Sequence, residues 1–438
     1  MTAFAPSVVE SVEGWQPSKI ESLADTGLGF GLLSDMVLKT MYFRGQITGF
    51  ELADELMLPF SSVIHSVMDF LKREQMVEVK GASSLQAGTF LYVITTKGSN
   101  RASEQLDRVG YIGPAPVTWD DYTDSVRAQG SRTLRVDASM VKQALSHLVL
   151  DHDIFKRIGP AINSGRSIFM YGPPGNGKTT IAESIGRMVL GNEMYVPYCV
   201  EVDGQIIKVY DEINHVKVSN GAEQSGNGSR DSNLLDRRWI KIQRPVIIVG
   251  GELTMDGLDL VYDPNNRYYE APYQMKANGG MFLVDDFGRQ QIRPRDLLNR
   301  WIVPMEKMVD YLALRTGRKI EIPFNVLLVF CTNLPPGDLV DEAFLRRIRH
   351  KIHISSPSFE SYRKIFRMVC QNNMIPQDDQ ALRYLIEQYY VKPKRKLRAN
   401  HPRDLIDQVM DISSYEGVHP RLSKSVLDQA AESYFVDV

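Results

Sequence analysis

The run Gly172-Pro173-Pro174-Gly175-Asn176-Gly177-Lys178-Thr179-Thr180 constrains this chain more than any other stretch, because it fits the spacing G-x-x-x-x-G-K-[ST]. Ser167–Tyr171 ahead of it reads as a short buried strand, and Ile181–Leu190 behind it reads as a helix. Glycine permits backbone angles that side chains forbid, so successive N–H groups can converge on one anion. The start of the following helix adds favourable partial charge at the same point. Strand, loop and helix in that order predict a cradle for nucleotide phosphates. Lys178 would reach the outer phosphates and the Thr179 hydroxyl would ligate Mg²⁺.

Further along, Gly279-Gly280-Met281-Phe282-Leu283-Val284-Asp285-Asp286 is an apolar strand that ends in two acids. In an open parallel sheet, ligands bind beyond the carboxyl ends of the strands. Asp285 would therefore face the metal held by Thr179, and Asp286 would face the terminal phosphate and polarise the attacking water. A second buried strand spans 323–333 and closes on Asn333, which either holds the lytic water or a phosphate oxygen or serves only as a turn residue. The stretch Asp341-Glu342-Ala343-Phe344-Leu345-Arg346-Arg347-Ile348-Arg349 then clusters arginines at one helix end. Arginines can stabilise charge on a phosphoryl group in transfer, in cis or from a neighbouring subunit.

In this order the motifs resemble those of the AAA+ ATPases, over roughly residues 136–438. Walker A corresponds to Gly172–Thr179, Walker B to Phe282–Asp286 and sensor 1 to Asn333. The arginine finger falls in 342–348 and sensor 2 in His401-Pro402-Arg403. The resemblance implies an ATPase using ATP and Mg²⁺, with catalysis at the contact between subunits of a hexameric homo-oligomeric ring. It assigns the finger to Arg347, with Arg346 and Arg349 close behind, and makes Arg403 the lid arginine. The chain departs from the family in two places. Walker B ends Asp285-Asp286 rather than Asp-Glu, one methylene short at the water-facing position, so a slow-hydrolysing scaffold stays open. The segment between the P-loop helix and Walker B is long; in it Cys199–Tyr210 reads as a strand, and 250–260 and 266–270 read as loop-bearing inserts. Among these, Tyr268 and Tyr269 are either substrate-gripping residues of a central pore or a buried aromatic pair.

Upstream, helical patterns over 32–43, from the cap Thr48 onward, and over 61–73 precede two strand-like runs at 76–80 and 89–95. Thr48 with Glu51 three residues later makes a capping box. Three helices and a two-stranded wing resemble a winged helix-turn-helix domain. Residues 30–110 carry eight Lys/Arg and nine Asp/Glu. Phosphate contacts supply most non-specific DNA affinity, so this balance favours a protein-docking module over a duplex binder, with the DNA-associated regulator or motor as the alternative.

The resulting expectation is an α/β P-loop AAA+ parallel sheet with a helical lid, preceded by the winged-helix-like domain. Its parts are a flexible arm (1–28), the winged-helix-like domain (29–108), a Gly/Pro-opened linker (109–135), the nucleotide-binding α/β domain (136–354) and the lid (355–438). Ser219–Asp231, rich in Gly, Ser and Asn, reads as a mobile surface loop, and the basic run Lys392–Arg398 as a solvated one. Across 438 residues, 43% hydrophobic and 24% charged content predict a globular protein with a sizeable core. A net charge of −2 gives no global pull toward nucleic acid or anionic lipid. No apolar run reaches membrane-spanning length, and the first residues lack the pattern of a secretion signal, so no membrane insertion and a cytoplasmic location are expected. The three cysteines match no disulfide or metal spacing. The implied client is a macromolecule, protein rather than DNA.

Overall fold

The computed structural model describes residues 14–82, 87–130, 135–190, 193–218, 235–339 and 345–435. The loop expected at Ser219–Asp231 and the residues 341–344 lie outside this set, as do the first thirteen residues of the expected arm.

The P-loop strand Ile168–Tyr171 lies inside a parallel sheet that has five strands among the described residues. From one edge the order is Val246–Val249, Met281–Val284, Leu327–Thr332, Ile168–Tyr171 and His350–His353. Side chains alternate across a strand, so each strand feeds two cores. Ile168, Met170, Leu283 and Val329 turn to one face and meet Ile158, Ile162, Ile181 and Ile185 of the helices His152–Asn163 and Lys178–Leu190. Phe169, Phe282, Leu328 and Phe330 turn to the other and meet Leu297, Leu298 and Trp301 of the helix Pro294–Lys307. A sheet covered on both faces explains why these strands read as continuous apolar runs. It also brings the ends of the strands carrying Asp285 and Asn333 beside the P-loop.

The described residues between the P-loop helix and the acidic strand hold seven short strands joined by turns and loops, not loops alone. Cys199–Val202 and Gln205–Lys208 form a hairpin whose turn residues Asp203 and Gly204 have φ of 51° and 75°. Tyr268–Glu270 pairs in parallel with the second of these strands and Val117–Thr118 with the first. Tyr269 is buried and its hydroxyl accepts from the Arg315 backbone N–H at 2.9 Å. Tyr268 stacks edge-on against Tyr111 at 5.6 Å. The aromatic pair is thus a packing feature here.

Residues 109–130 also do more than connect. They carry Val117–Thr118 and the helix Trp119–Ala128, whose Tyr122 and Val126 join the same core. From the segment expected as an arm, Ile20 and Leu28 are buried. Arg238, ion-paired to Asp236 at 2.8 Å with both side chains buried, donates to the carbonyls of Thr26 (2.9 Å) and Pro116 (2.8 Å). These bonds tie the segments that carry Thr26 and Pro116 to the start of the strand Trp239–Gln243.

Nearer the N-terminus, the helices Phe30–Arg44, Gly49–Glu55 and His65–Arg73 pack on an antiparallel sheet of Gln46–Thr48, Val77–Ala82 and Phe90–Ile94. The capping box is present: Thr48 Oγ1 accepts from the Glu51 N–H at 3.3 Å and Glu51 Oε2 from the Thr48 N–H at 2.8 Å. The sheet has a third strand, Gln46–Thr48, beyond the expected two. At the other end, the helices Phe359–Asn372, Asp379–Ile386, His401–Glu416 and Lys424–Tyr434 enclose their own apolar core. Ser358, Asp378 and Ser423 cap three of them with their side chains.

Candidate functional site

The P-loop bends as its glycines permit: Gly172, Gly175 and Gly177 have φ of 143°, 77° and 82°. A Cβ on Gly172 would stand 2.1 Å from the Ile354 carbonyl oxygen, and one on Gly175 would stand 2.2 Å from Asn400 Oδ1. Around a Cβ built on Gly177 there is nothing within 4 Å, so the loop is open on that side. Lys178 begins the helix and is buried.

Lys178 Nζ donates to the carbonyls of Gly172 (3.0 Å) and Pro173 (2.9 Å) and to Asn333 Oδ1 (2.6 Å). Burial lowers the pKa of its ammonium from the ordinary lysine value, against the opposing pull of Cys331, Asp286 and Asp285. Asn333 Nδ2 donates to Asp286 Oδ1 at 3.1 Å, so one amide bridges the lysine and the outer acid. Thr179 Oγ1 lies 3.1 Å from both carboxylate oxygens of Asp285. These five side chains come from three elements widely separated in sequence. They meet because the strand ending at Thr332 lies between the P-loop strand and the acidic strand.

Asp286 adopts φ 47°, a left-handed backbone uncommon outside glycine. The turn that holds it is fastened to the neighbouring strand by Phe287 N–H to the Cys331 carbonyl (2.7 Å) and Thr332 Oγ1 to the Phe287 carbonyl (2.7 Å). An isolated divalent cation could find hard oxygen donors at Thr179 and Asp285. Among the described residues no group of three or more His, Cys, Asp or Glu is placed to hold a metal, so the remaining ligands would have to be water or phosphate oxygens.

The rest of the P-loop faces the C-terminal helical unit. Asn176 Oδ1 accepts from the Ala399 N–H (3.2 Å), its Nδ2 donates to Ser356 Oγ (3.4 Å), and the Gly175 carbonyl accepts from the Asn400 N–H (2.8 Å). Thr180 turns its carbonyl to Ser184 Oγ (2.7 Å). Nothing in the residues around Asn176 marks it in advance for this contact.

The candidate arginines are elsewhere. Arg403 is 69% exposed at its side chain and pairs with Asp404 at 3.0 Å, so the lid meets the P-loop through Ala399 and Asn400 instead. Arg347 Nε pairs with Glu306 at 2.5 Å, at the end of the helix Pro294–Lys307. Arg346 and Arg349 are exposed.

Comparison with known proteins adds likenesses of limited extent. A family described as a domain of unknown function (DUF8689) matches residues 358–433, which hold the C-terminal helices. The vesicle-fusing ATPase of Dictyostelium discoideum is 26% identical over 186 residues, covering 34% of this chain and 24% of that protein. The chain thus matches about a quarter of the length of this curated relative. Among solved structures, NtrX from Brucella abortus in complex with ADP covers 68% of this chain and 55% of its own at 13% identity and a TM-score of 0.38. The RuvB Holliday junction branch migration motor of Thermotoga maritima covers 66% and 70% at 12% identity and a TM-score of 0.36. No helix among the described residues is long and apolar enough to cross a membrane.

Proposed function

We propose that this chain is an AAA+-type ATPase that binds Mg-ATP and couples its hydrolysis to remodelling a protein client as part of a ring of like subunits. The observation that carries the reading is the convergence of Lys178, Thr179, Asp285, Asp286 and Asn333 at the carboxyl ends of neighbouring parallel strands. The segment likeness to a vesicle-fusing ATPase supports it.

In this reading the loop amides and Lys178 hold the phosphates. Thr179 and Asp285 would hold Mg²⁺, whose charge offsets that of the phosphates. Asp286 and Asn333 orient water for in-line attack, and the amide already joining them sets the direction of the acid. Arg347, with Arg346 beside it, serves a neighbouring subunit's site, which it would reach on leaving Glu306. Arg403 approaches the phosphates only after leaving Asp404.

In this reading the N-terminal unit, whose α-helices and strands run helix, strand, helix, helix, strand, strand, is a winged helix. It shows Tyr42, Phe43 and Phe50 at 43%, 64% and 45% exposure, and aromatic residues of this kind are enriched at protein interfaces. With its near-neutral charge, this favours a protein partner over duplex DNA. The cytoplasm remains the expected compartment.

Phosphate release from ATP by the full chain and by Lys178→Ala, Asp286→Asn and Arg347→Ala tests the assignment. All three variants should lose about 100-fold or more in turnover, and Asp286→Asn and Arg347→Ala should still bind ATP. Turnover retained in all three would sink it.

A further inference from the structure

The turn that carries Asp286 is held by a side chain with no part in the motifs, Gln290. Its Nε2 donates to the carbonyl of Asp285 at 2.8 Å and to that of Asp286 at 3.2 Å. Its Oε1 accepts from the Gly288 N–H at 2.8 Å. Both ends of the amide are engaged, and swapping them would set oxygen against two carbonyls, so the side chain is locked in one orientation. The backbone it clasps is the left-handed one at Asp286, followed by Gly288 at φ 106°. A left-handed aspartate persists where its surroundings over-determine it.

Two fastenings do so here. Phe287, buried, ties the turn to the end of the neighbouring strand, and Gln290 ties the two carbonyls on either side of the Asp286 Cα. Asp286 is exposed, and its carboxylate is directed by the turn and by Asn333 Nδ2. A short acid has less freedom than a long one to recover from a misplaced backbone, so the precision of the turn passes directly to the carboxylate.

We propose that Gln290 is a positioning residue for Asp286, holding the left-handed turn from which this acid meets Asn333. The proposal rests on the ATPase reading above for its kinetic consequence but not for its structural one. In the full chain, Gln290→Ala and the similarly sized Gln290→Met should each lower kcat for ATP about tenfold or more, since a misplacement of about 1 Å can cost about 100-fold. Binding of a fluorescent ATP analogue should change by less than about twofold, which separates a lost transition-state contact from lost ground-state binding. In an Asp286→Asn background, Gln290→Ala should change kcat by less than about twofold, because the two residues act through one group. Unchanged kcat in Gln290→Ala, a parallel loss of ATP affinity, or an equal loss in the Asp286→Asn background would each overturn the proposal.

A second readout needs no turnover. The side-chain amide resonances of Asn333 in the nucleotide-free chain, identified by their loss in Asn333→Ala, should shift in Gln290→Ala as the bond to Asp286 loosens. If the unaltered chain releases no phosphate, the ATPase reading fails on its own and these resonances decide the proposal. Resonances that stay put overturn it.

Discussion

Acid should loosen the lid through one histidine. His401 starts the helix His401–Glu416, is buried, and shares a hydrogen bond of 3.0 Å between its Nδ1 and the Tyr390 hydroxyl. The rings of Tyr434 and Phe435 meet it edge-on at 5.6 and 5.4 Å. Burial pushes its pKa down to about 4, Arg398 and Arg395 push the same way, and Asp404 opposes them. The unfolded chain takes up the proton near pH 6.5, whereas the folded lid resists it until about pH 4. Between those values the unfolded state holds more protons, so stability falls as pH falls through that window and is level above it. At pH 5 the linkage gives a loss of about 2 kcal/mol relative to pH 7.5. Native-state hydrogen exchange on the lid amides of the full chain, corrected for intrinsic rates, should show opening about 30-fold more populated at pH 5. His401→Gln, which can still bond to Tyr390, should flatten that dependence. The same pH slope in both proteins would refute the assignment to His401.

Three further outcomes are expected. Arg347→Ala and Lys178→Ala should each be nearly inactive alone, yet a mixture assembled together should recover activity, since random mixing pairs the two intact residues at about a quarter of the contacts in a ring; turnover of the mixture no better than the sum of its parts would exclude a shared site. Gly175→Ala should cost about 1–2 kcal/mol from its positive φ alone and should speed hydrogen exchange at Ala399 and Asn400, whose contact with the loop a new Cβ would displace; unaltered exchange there would show that the contact is not formed. The full chain should give no gel shift with duplex DNA even at about 50 mM salt, given the charge balance of its N-terminal unit; a shift abolished by added salt would reverse the preference for a protein partner.

What could be read in the chain beforehand was what is local. The P-loop depends on glycines at fixed offsets beside a buried strand, and the capping box on Thr48 and Glu51, so each is carried by a few neighbouring residues. The acids ending the strand Met281–Val284 were legible for the same reason. Cys199–Tyr210 was legible as a strand though not as the hairpin it forms, and the other strands of residues 193–270 were not, because strands of three to five residues are too short for a periodic signal. There the turn pair Asp203-Gly204 was the available clue to a hairpin. The three-residue strand Gln46–Thr48 hides for the same reason, and the helix Trp119–Ala128 was obscured by the Gly/Pro-rich opening of its segment. Bonds from a side chain to a distant residue or to a bent backbone leave no pattern at all. Lys178 to Asn333, Asn176 to Ala399 and Gln290 to the acidic turn are of this kind.

Two backbone donors, Ala399 and Asn400, bind the P-loop just ahead of the helix His401–Glu416. Sixteen residues of helix span about 24 Å, so a tilt of about five degrees at the loop end would swing the far end by about 2 Å. The helix is in effect a pointer pivoted on the P-loop. Small adjustments of Gly175 and Asn176 as the cradle fills would be read out, magnified, at the outer surface of the lid, where Tyr415 stands 94% exposed.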